Sequence, residues 1–286
     1  MGYPGGKAGA GVYQTIVNQI PPHSCYLEPF AGDAAIFRRK RPAARNVLVE
    51  LDPAQAGALA AELGDSAELH NCCGIEWLKH AFGLHLVGPP NGAAVDQAAL
   101  AARSGGARSR GGRSTPGAVA ASNGGARGIL THNNAAAAGD AALGGQVPGA
   151  WFCLCDPPYV MSTRSTQRPL YRCEMTEAQH VDLLRVVNLL PCYVMLCGYD
   201  SKLYRDALDG WRTISYTSMT RGGKLGREMC WLNYPEPSEL HDYRFLGRHK
   251  RERERITRKV RTWTAGLQRL PALERQAIVA GIVGQR

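Results

Sequence analysis

A chain of 286 residues with a net charge of +10 has room for a full α/β core, as one large domain or as one domain with an appendage. No charged segment leads into a short apolar one near its start, and no apolar run approaches about eighteen residues, which argues against a secretory signal and a membrane span. Nine cysteines, an odd number, then read as reduced thiols, and the expectation is an intracellular protein.

The charge is unevenly placed. Residues 1–96 carry seven basic and nine acidic side chains, and residues 97–139 carry five arginines and no acid. Residues 140–247 carry eleven basic and twelve acidic, and residues 248–286 carry eleven against three. A near-neutral body with a basic loop and a basic tail points to a polyanionic partner, nucleic acid first.

In chain order, residues 25–30, 46–51 and 69–73 read as three strands. Residues 53–63, rich in Ala, Leu and Glu, suit a helix with proline in its first turn. Ala and Gly fill 25 of the 49 positions from 101 to 149. Such a composition cannot offset the entropy of ordering, so a disordered surface insertion is expected there. Ala150-Trp151-Phe152-Cys153-Leu154-Cys155 is a short apolar run of the buried-strand kind.

Thr176-Glu177-Ala178-Gln179 is a capping-box pattern. It opens a helix through residue 190 with Val181, Leu184 and Val187 on one face, and Pro191 stops it. Residues 193–197 make another buried strand and residues 201–208 a short helix. Two strands, 212–216 and 228–233, are joined by a loop at 219–227. This alternation predicts an α/β fold with a mainly parallel sheet and one antiparallel edge strand from the final hairpin. Residues 248–263 read as a basic helix, either packed on the body through Ile256, Val260 and Trp263 or clamping a DNA backbone, or both on opposite faces. A second short helix follows at about 271–282. The chain thus divides into 1–100, 101–149, 150–236 and 237–286.

Asp156-Pro157-Pro158-Tyr159 carries the chemistry. It follows the apolar run 150–155, at the sheet edge where open α/β folds bind ligands. Two prolines stiffen the backbone, so that a carboxylate and a free carbonyl face one way beside an aromatic ring. That arrangement suits a planar base with an amino group: the oxygens accept its two N–H bonds and the ring stacks on its face. At the end of the first strand, Glu28-Pro29-Phe30-Ala31-Gly32-Asp33-Ala34 makes a small-residue turn that lets a nucleoside approach. Glu50-Leu51-Asp52 ends the second strand, where an acid is placed to bind ribose hydroxyls. No G-x-G-x-x-G follows the first strand, so a dinucleotide is disfavoured and a single adenosine-bearing cofactor is not. Near the start, Tyr3-Pro4-Gly5-Gly6-Lys7 supplies a glycine turn ending in a cation.

These segments, in this order, resemble the Dam-type S-adenosylmethionine-dependent adenine-N6 DNA methyltransferases, in the compact form found in phages and prophages. The likeness extends through Cys73-Gly74-Ile75-Glu76-Trp77-Leu78, Tyr171-Arg172-Cys173-Glu174-Met175-Thr176, Gly198-Tyr199, Glu228 to Asn233, His241 to Gly247 and Leu270 to Gln276. It covers nearly everything except the insertion. The resemblance implies a Rossmann-like methyltransferase fold with a basic helical tail. Asp156 and the Pro157 carbonyl would hold the amino group of a flipped adenine, followed by Pro158, with Tyr159 stacking on the base. S-Adenosylmethionine would be bound by Tyr3, Gly5, Gly6, Lys7, Glu28, Pro29, Phe30, Ala31, Gly32, Asp52 and Asp156. The methyl group would pass by direct displacement, with no metal and no covalent enzyme intermediate.

The chain departs from the family pattern at Gly32-Asp33-Ala34, where Asp33 brings a side chain close to the cofactor. The interval from Asp52 to Leu69 is also too short for a separate target-recognition domain. Contact with DNA, expected to be double-stranded, then falls to Arg164, Arg168 and Arg172, to Arg221, Lys224 and Arg227, and to Arg251 and Arg255. Cytosine-N4 methylation, an RNA substrate and an inactive DNA-binding relative stay open as alternatives. Zinc at Cys72-Cys73 and Cys153-x-Cys155 is disfavoured, because these spacings do not match structural zinc sites. No membrane partner is expected, and the oligomeric state is not legible.

Overall fold

The computed structural model describes residues 6–86, 150–164, 168–219 and 225–284. The expected insertion at 101–149 lies outside the described residues. A seven-stranded sheet carries the fold, built from β1 (Cys25–Glu28), β2 (Arg45–Val49), β3 (Glu68–His70), β4 (Trp151–Cys155), β5 (Tyr193–Gly198), β6 (Arg212–Met219) and β7 (Leu225–Leu232). Its order is β3-β2-β1-β4-β5-β7-β6. The first five strands pair in parallel, and β7 runs antiparallel to both β5 and β6. This is the expected Rossmann-like α/β class, with one difference. The antiparallel strand is interior, not at the edge. Cys230, Trp231 and Leu232 of β7 are buried, whereas β6 alternates and takes the rim.

Alternation along the central strands feeds two apolar layers. Leu27, Cys153 and Cys155 face one, against Leu78, Leu183 and Val187. Tyr26, Phe152 and Leu154 face the other, against Ile16, Ile20 and Leu59. Truncating a fully buried leucine such as Leu27 or Leu183 costs about 2–5 kcal/mol in cores of this kind.

Seven helices are described: α1 (Val12–Val17), α2 (Pro53–Leu63), α3 (Gly74–Ala81), α4 (Glu177–Val187), α5 (Lys202–Ala207), α6 (Lys250–Gln268) and α7 (Ala272–Val283). The capping box at Thr176 forms as expected. Leu184 and Val187 of the face read from the sequence are buried and Val181 is half-buried, with His180, Leu183 and Val186 completing the buried stripe of α4. Asp52 caps α2 by accepting from the Ala54 N–H, with Pro53 at the first helical position. The sequence reading gives no helix at α1 or at α3.

The tail leaves the body by residues 241–247, which are pinned to it. The His241 N–H donates to Ile20 O, the Arg41 N–H to Asp242 Oδ2, and Asn18 Nδ2 to Phe245 O. Beyond that anchor, α6 and α7 bury no residue. Val260 is 59% and Trp263 66% exposed, whereas Ile256 is half-buried, so of the three residues expected to pack α6 on the body only Ile256 is partly covered. Among the described residues no helix is long and apolar enough to cross a membrane.

Candidate active site at the ends of the central strands

The strand order reverses between β1 and β4. A crevice therefore opens beyond their C-terminal ends. It is a cleft of about 700 Å³ lined from β1 by Pro29, Phe30, Gly32 and Asp33, from β2 by Glu50, Leu51 and Asp52, and from β4 by Asp156 and Pro158. Gly74 and Ile75 at the start of α3 form its floor, and the segment 170–175 closes the far side.

Backbone geometry explains the turn after β1. The Gly32 N–H donates to Glu50 Oε2 at 2.8 Å, and Gln55 Nε2 donates to Gly32 O at 2.7 Å. Glu50 Oε1 accepts from the Asp52 N–H at 2.8 Å, so one carboxylate ties the ends of β1 and β2 together. Burial raises the pKa of Glu50, against the backbone N–H bonds that favour its ionised form. Gly32 has φ 54° and Ala34 has φ 52°. The second is a conformation that costs a residue with a Cβ energy. Gly74 admits no side chain, since a Cβ there would lie 1.9 Å from Pro29 O. The helix start is thereby held hard against the β1 turn.

Asp156 emerges from a strand that is buried throughout. Its Oδ2 accepts from Lys7 Nζ at 2.7 Å. Its Oδ1 is buried and has no hydrogen-bond partner among the described residues. The side chain keeps 23% exposure, enough to reach the cleft. On the side away from the cleft, Lys7 Nζ also lies 3.5 Å from Glu228 Oε2. Glu228 accepts the hydroxyls of Tyr159, Tyr216 and Ser218. The Tyr159 ring has Lys7 Nζ 5.1 Å from its centroid and meets Tyr199 edge-on at 4.7 Å.

One ammonium thus sits between two carboxylates. Burial disfavours the charged Lys7, but Asp156 and Glu228 together raise its pKa above the usual range. Burial likewise raises Asp156, and Lys7 offsets this only in part because Glu228 and Asp33 add to it. Burial opposes ionisation of Glu228 too, yet Lys7 and the three hydroxyls win and lower its pKa. The result is an ionised, fully bonded Glu228 beside an Asp156 that is basic for its kind.

Of the residues read from the sequence as cofactor-binding, the cleft brings together Pro29, Phe30, Gly32, Asp52 and Asp156. Glu28 and Ala31 are buried off the cleft. Glu28 accepts from the Tyr26 hydroxyl and the Phe37 N–H, and burial raises its pKa to about 7. Lys7 is buried behind Asp156, with Gly6 exposed beside it. Tyr3 and Gly5 lie outside the described residues, as do Arg221 and Lys224. Pro157 and Tyr159 are buried, and Pro158 reaches the cleft.

Arg164 needs correction as a surface cation. It is buried, donates from Nε to Tyr159 O at 2.8 Å, and forms a two-point pair with Glu174 at 2.8 and 2.7 Å. Glu174 also accepts from the Leu170 and Tyr171 N–H groups. The pair shapes the loop that walls the cleft and cannot reach a phosphate. Arg168, Arg172, Arg227, Arg251 and Arg255 are exposed, and Arg172 Nη1 lies 3.5 Å from Asp52 Oδ2.

Sequence reasoning assigned no role to Glu228, although an acid beside the apolar Met229-Cys230-Trp231-Leu232 was a signal. It also gave Cys73, Ile75 and Gln179 no place in the site. Cys153 and Cys155 lie in the core with Sγ atoms 3.6 Å apart.

No protein-family model and no curated protein matches the chain. Among solved structures, the chain is similar to a precorrin 8w decarboxylase of Methanobacterium thermoautotrophicum at 8% identity and a TM-score of 0.36, over 80% of this chain and 91% of that one. It is similar to an rRNA methylase from Streptococcus thermophilus at 8% and 0.32, over 78% and 92%. A third likeness is to the 23S rRNA methyltransferase ErmE at 11% and 0.32, over 86% and 71%. Likenesses this loose add nothing to the geometry of the site.

Proposed function

We propose that this protein transfers a methyl group from S-adenosylmethionine to the 6-amino group of adenine in DNA. The observation that carries the reading is Asp156, whose carboxylate keeps 23% exposure and lines a cleft shared with the Gly32 turn and the acid at the end of β2.

The cleft fits the cofactor on three counts. Its volume of about 700 Å³ is that of a small-molecule site. Gly32, at positive φ in the lining, lets backbone approach a ligand closely. Asp33, Glu50, Asp52 and Asp156 line it, with Arg172 at its rim, a set of acceptors suited to hydroxyls and positive charge and hostile to a pyrophosphate. Asp52 and Glu50 would hold the ribose, and Phe30, Ile75 and Pro158 would cover the adenine. When bound, the cofactor supplies an electrophilic methyl group.

The remaining chemistry belongs to the chain. Asp156 and the Pro157 carbonyl accept the two amino N–H bonds, which turns the nitrogen lone pair toward the cleft. Asp156 is also the nearest base for the surplus proton that the nitrogen sheds after methylation, and burial makes it more basic than an ordinary aspartate. Removing the base from its stack costs a few kcal/mol, which contacts around Tyr159 and Tyr199 offset. Residues 1–100 and 150–236 would form the catalytic body, interrupted by 101–149. The exposed arginines 168, 172, 227, 251 and 255 would engage the DNA backbone.

The test is incubation of the purified protein with methyl-labelled S-adenosylmethionine and duplex DNA, followed by nucleoside analysis. Label in N6-methyladenine supports the reading. Label in N4-methylcytosine, or in RNA alone, replaces the substrate and keeps the chemistry. Failure to bind the cofactor in calorimetry overturns the reading altogether and favours an inactive DNA-binding relative.

A further inference from the structure

The buried cluster behind Asp156 has a feature that amino-group binding by itself leaves unused. An incoming amino group brings N–H donors to Asp156; Oδ1 is buried, so the donor meets Oδ2, which Lys7 already engages at 2.7 Å. An ammonium stripped of its partner in a buried site is strongly unfavourable. Lys7 can give up Asp156 only if another acceptor takes the charge, and Glu228 Oε2 already lies 3.5 Å away.

We infer that Glu228 is a positioning residue whose carboxylate receives the Lys7 ammonium when a target amino group displaces it from Asp156. The inference rests on the reading of Asp156 as the amino-group acceptor. Glu228 is built for the task. Strand register sets Tyr216 opposite it on β6, and Ser218, two residues on, points to the same face. Those two hydroxyls and that of Tyr159 fix both carboxylate oxygens. With the carboxylate immobile, the exchange of the 2.7 Å partner for the 3.5 Å one falls to the Lys7 side chain. The bond from Tyr159 has a second use. It couples the position of that ring to the same carboxylate, so the lysine and the aromatic wall of the base site are held from one point.

The experiment uses the full chain with duplex DNA and labelled S-adenosylmethionine, comparing wild type, Glu228→Gln, Lys7→Met and the double variant. Glu228→Gln is expected to slow single-turnover transfer about 100-fold, the scale of a misplaced reacting group, while cofactor affinity in calorimetry changes less than about threefold. In the Lys7→Met background, adding Glu228→Gln is expected to cost less than about threefold more, because no ammonium remains to be received. Equal losses in both backgrounds, or transfer by Glu228→Gln within threefold of wild type, would overturn the inference.

Should Lys7→Met transfer too slowly to measure, a denaturant double-mutant cycle on the ligand-free protein decides. A Lys7–Glu228 coupling of about tenfold or more in the folding equilibrium constant is expected, and additivity overturns the inference. Glu228→Asp serves if the glutamine variant folds poorly. A wild-type protein that transfers no methyl group defeats the functional reading and leaves this coupling measurable, so the two failures are distinguishable.

Discussion

The Asp156 cluster and the α6–α7 tail both carry dense charge, and they use it in opposite ways. In the cluster, Lys7, Glu228 and Asp156 are withdrawn from water and each charge has designated partners. In α6, seven Lys or Arg side chains and two Glu occupy 19 residues, none of them buried. A desolvated charge acts strongly over one geometry, whereas a solvated one acts weakly over many and is screened by salt. Substitutions should therefore be severe and salt-independent at the cluster, and mild and salt-dependent on the tail.

The sharpest break of that contrast is Asp156→Asn. It keeps the shape and removes the acceptor charge, and methyl transfer should fall at least about 1,000-fold with circular dichroism unchanged. Next is Gly74→Ala, which places a Cβ against Pro29 O. It should destabilise the fold by about 3 kcal/mol in denaturant titration and weaken cofactor binding with it.

Acid should act on the body and spare the tail. Burial lowers the pKa of His180 to about 4 and of His23 to about 3. For Glu174 burial acts upward, but Arg164 and two backbone N–H groups bring it down to about 2. Each folded value lies below its unfolded one. The histidines thus contribute stability that is complete above about pH 6.5 and lost as pH falls through 4 and 3, and Glu174 one that is complete above about 4.5 and lost toward 2. Denaturant midpoints should decline most clearly from about pH 4.5 to 3, below the range in which the raised Glu28 acts in the opposite sense, and Arg164→Met should remove the lowest part of that slope.

On the tail, Arg251→Ala with Arg255→Ala should reduce the slope of log affinity for DNA against log salt by about 2. Unfolding free energy should change by less than about 0.5 kcal/mol. The smallest effect expected is at Ala34. Glycine there relieves the positive φ and should alter stability by up to about 1 kcal/mol, read as a shift in midpoint.

The apolar runs at 150–155 and 193–197, the capping box at Thr176 and the proline opening α2 were legible because each acts through near neighbours in the chain. That Asp156, Gly32 and Asp52 line the cleft was legible because strand ends place such groups in the crevice. Arg164 was misread for a reason of distance. Its partner Glu174 is ten residues away across a loop, and nothing local distinguishes a paired arginine from a solvated one. The interior place of β7 was likewise hidden, since both strands of a hairpin satisfy the same turn.

Local pattern and backbone chemistry, then, settled from sequence alone the strands and the helices α2, α4, α5, α6 and α7, and which strand end bears the carboxylate. Only tertiary structure decided that Lys7 and Glu228, 221 positions apart, share one charge beside Asp156, and that Val260 and Trp263 of α6 are left exposed. Desolvation and ion pairing depend on what the folded chain brings within a few ångströms, and separation along the sequence carries no record of it.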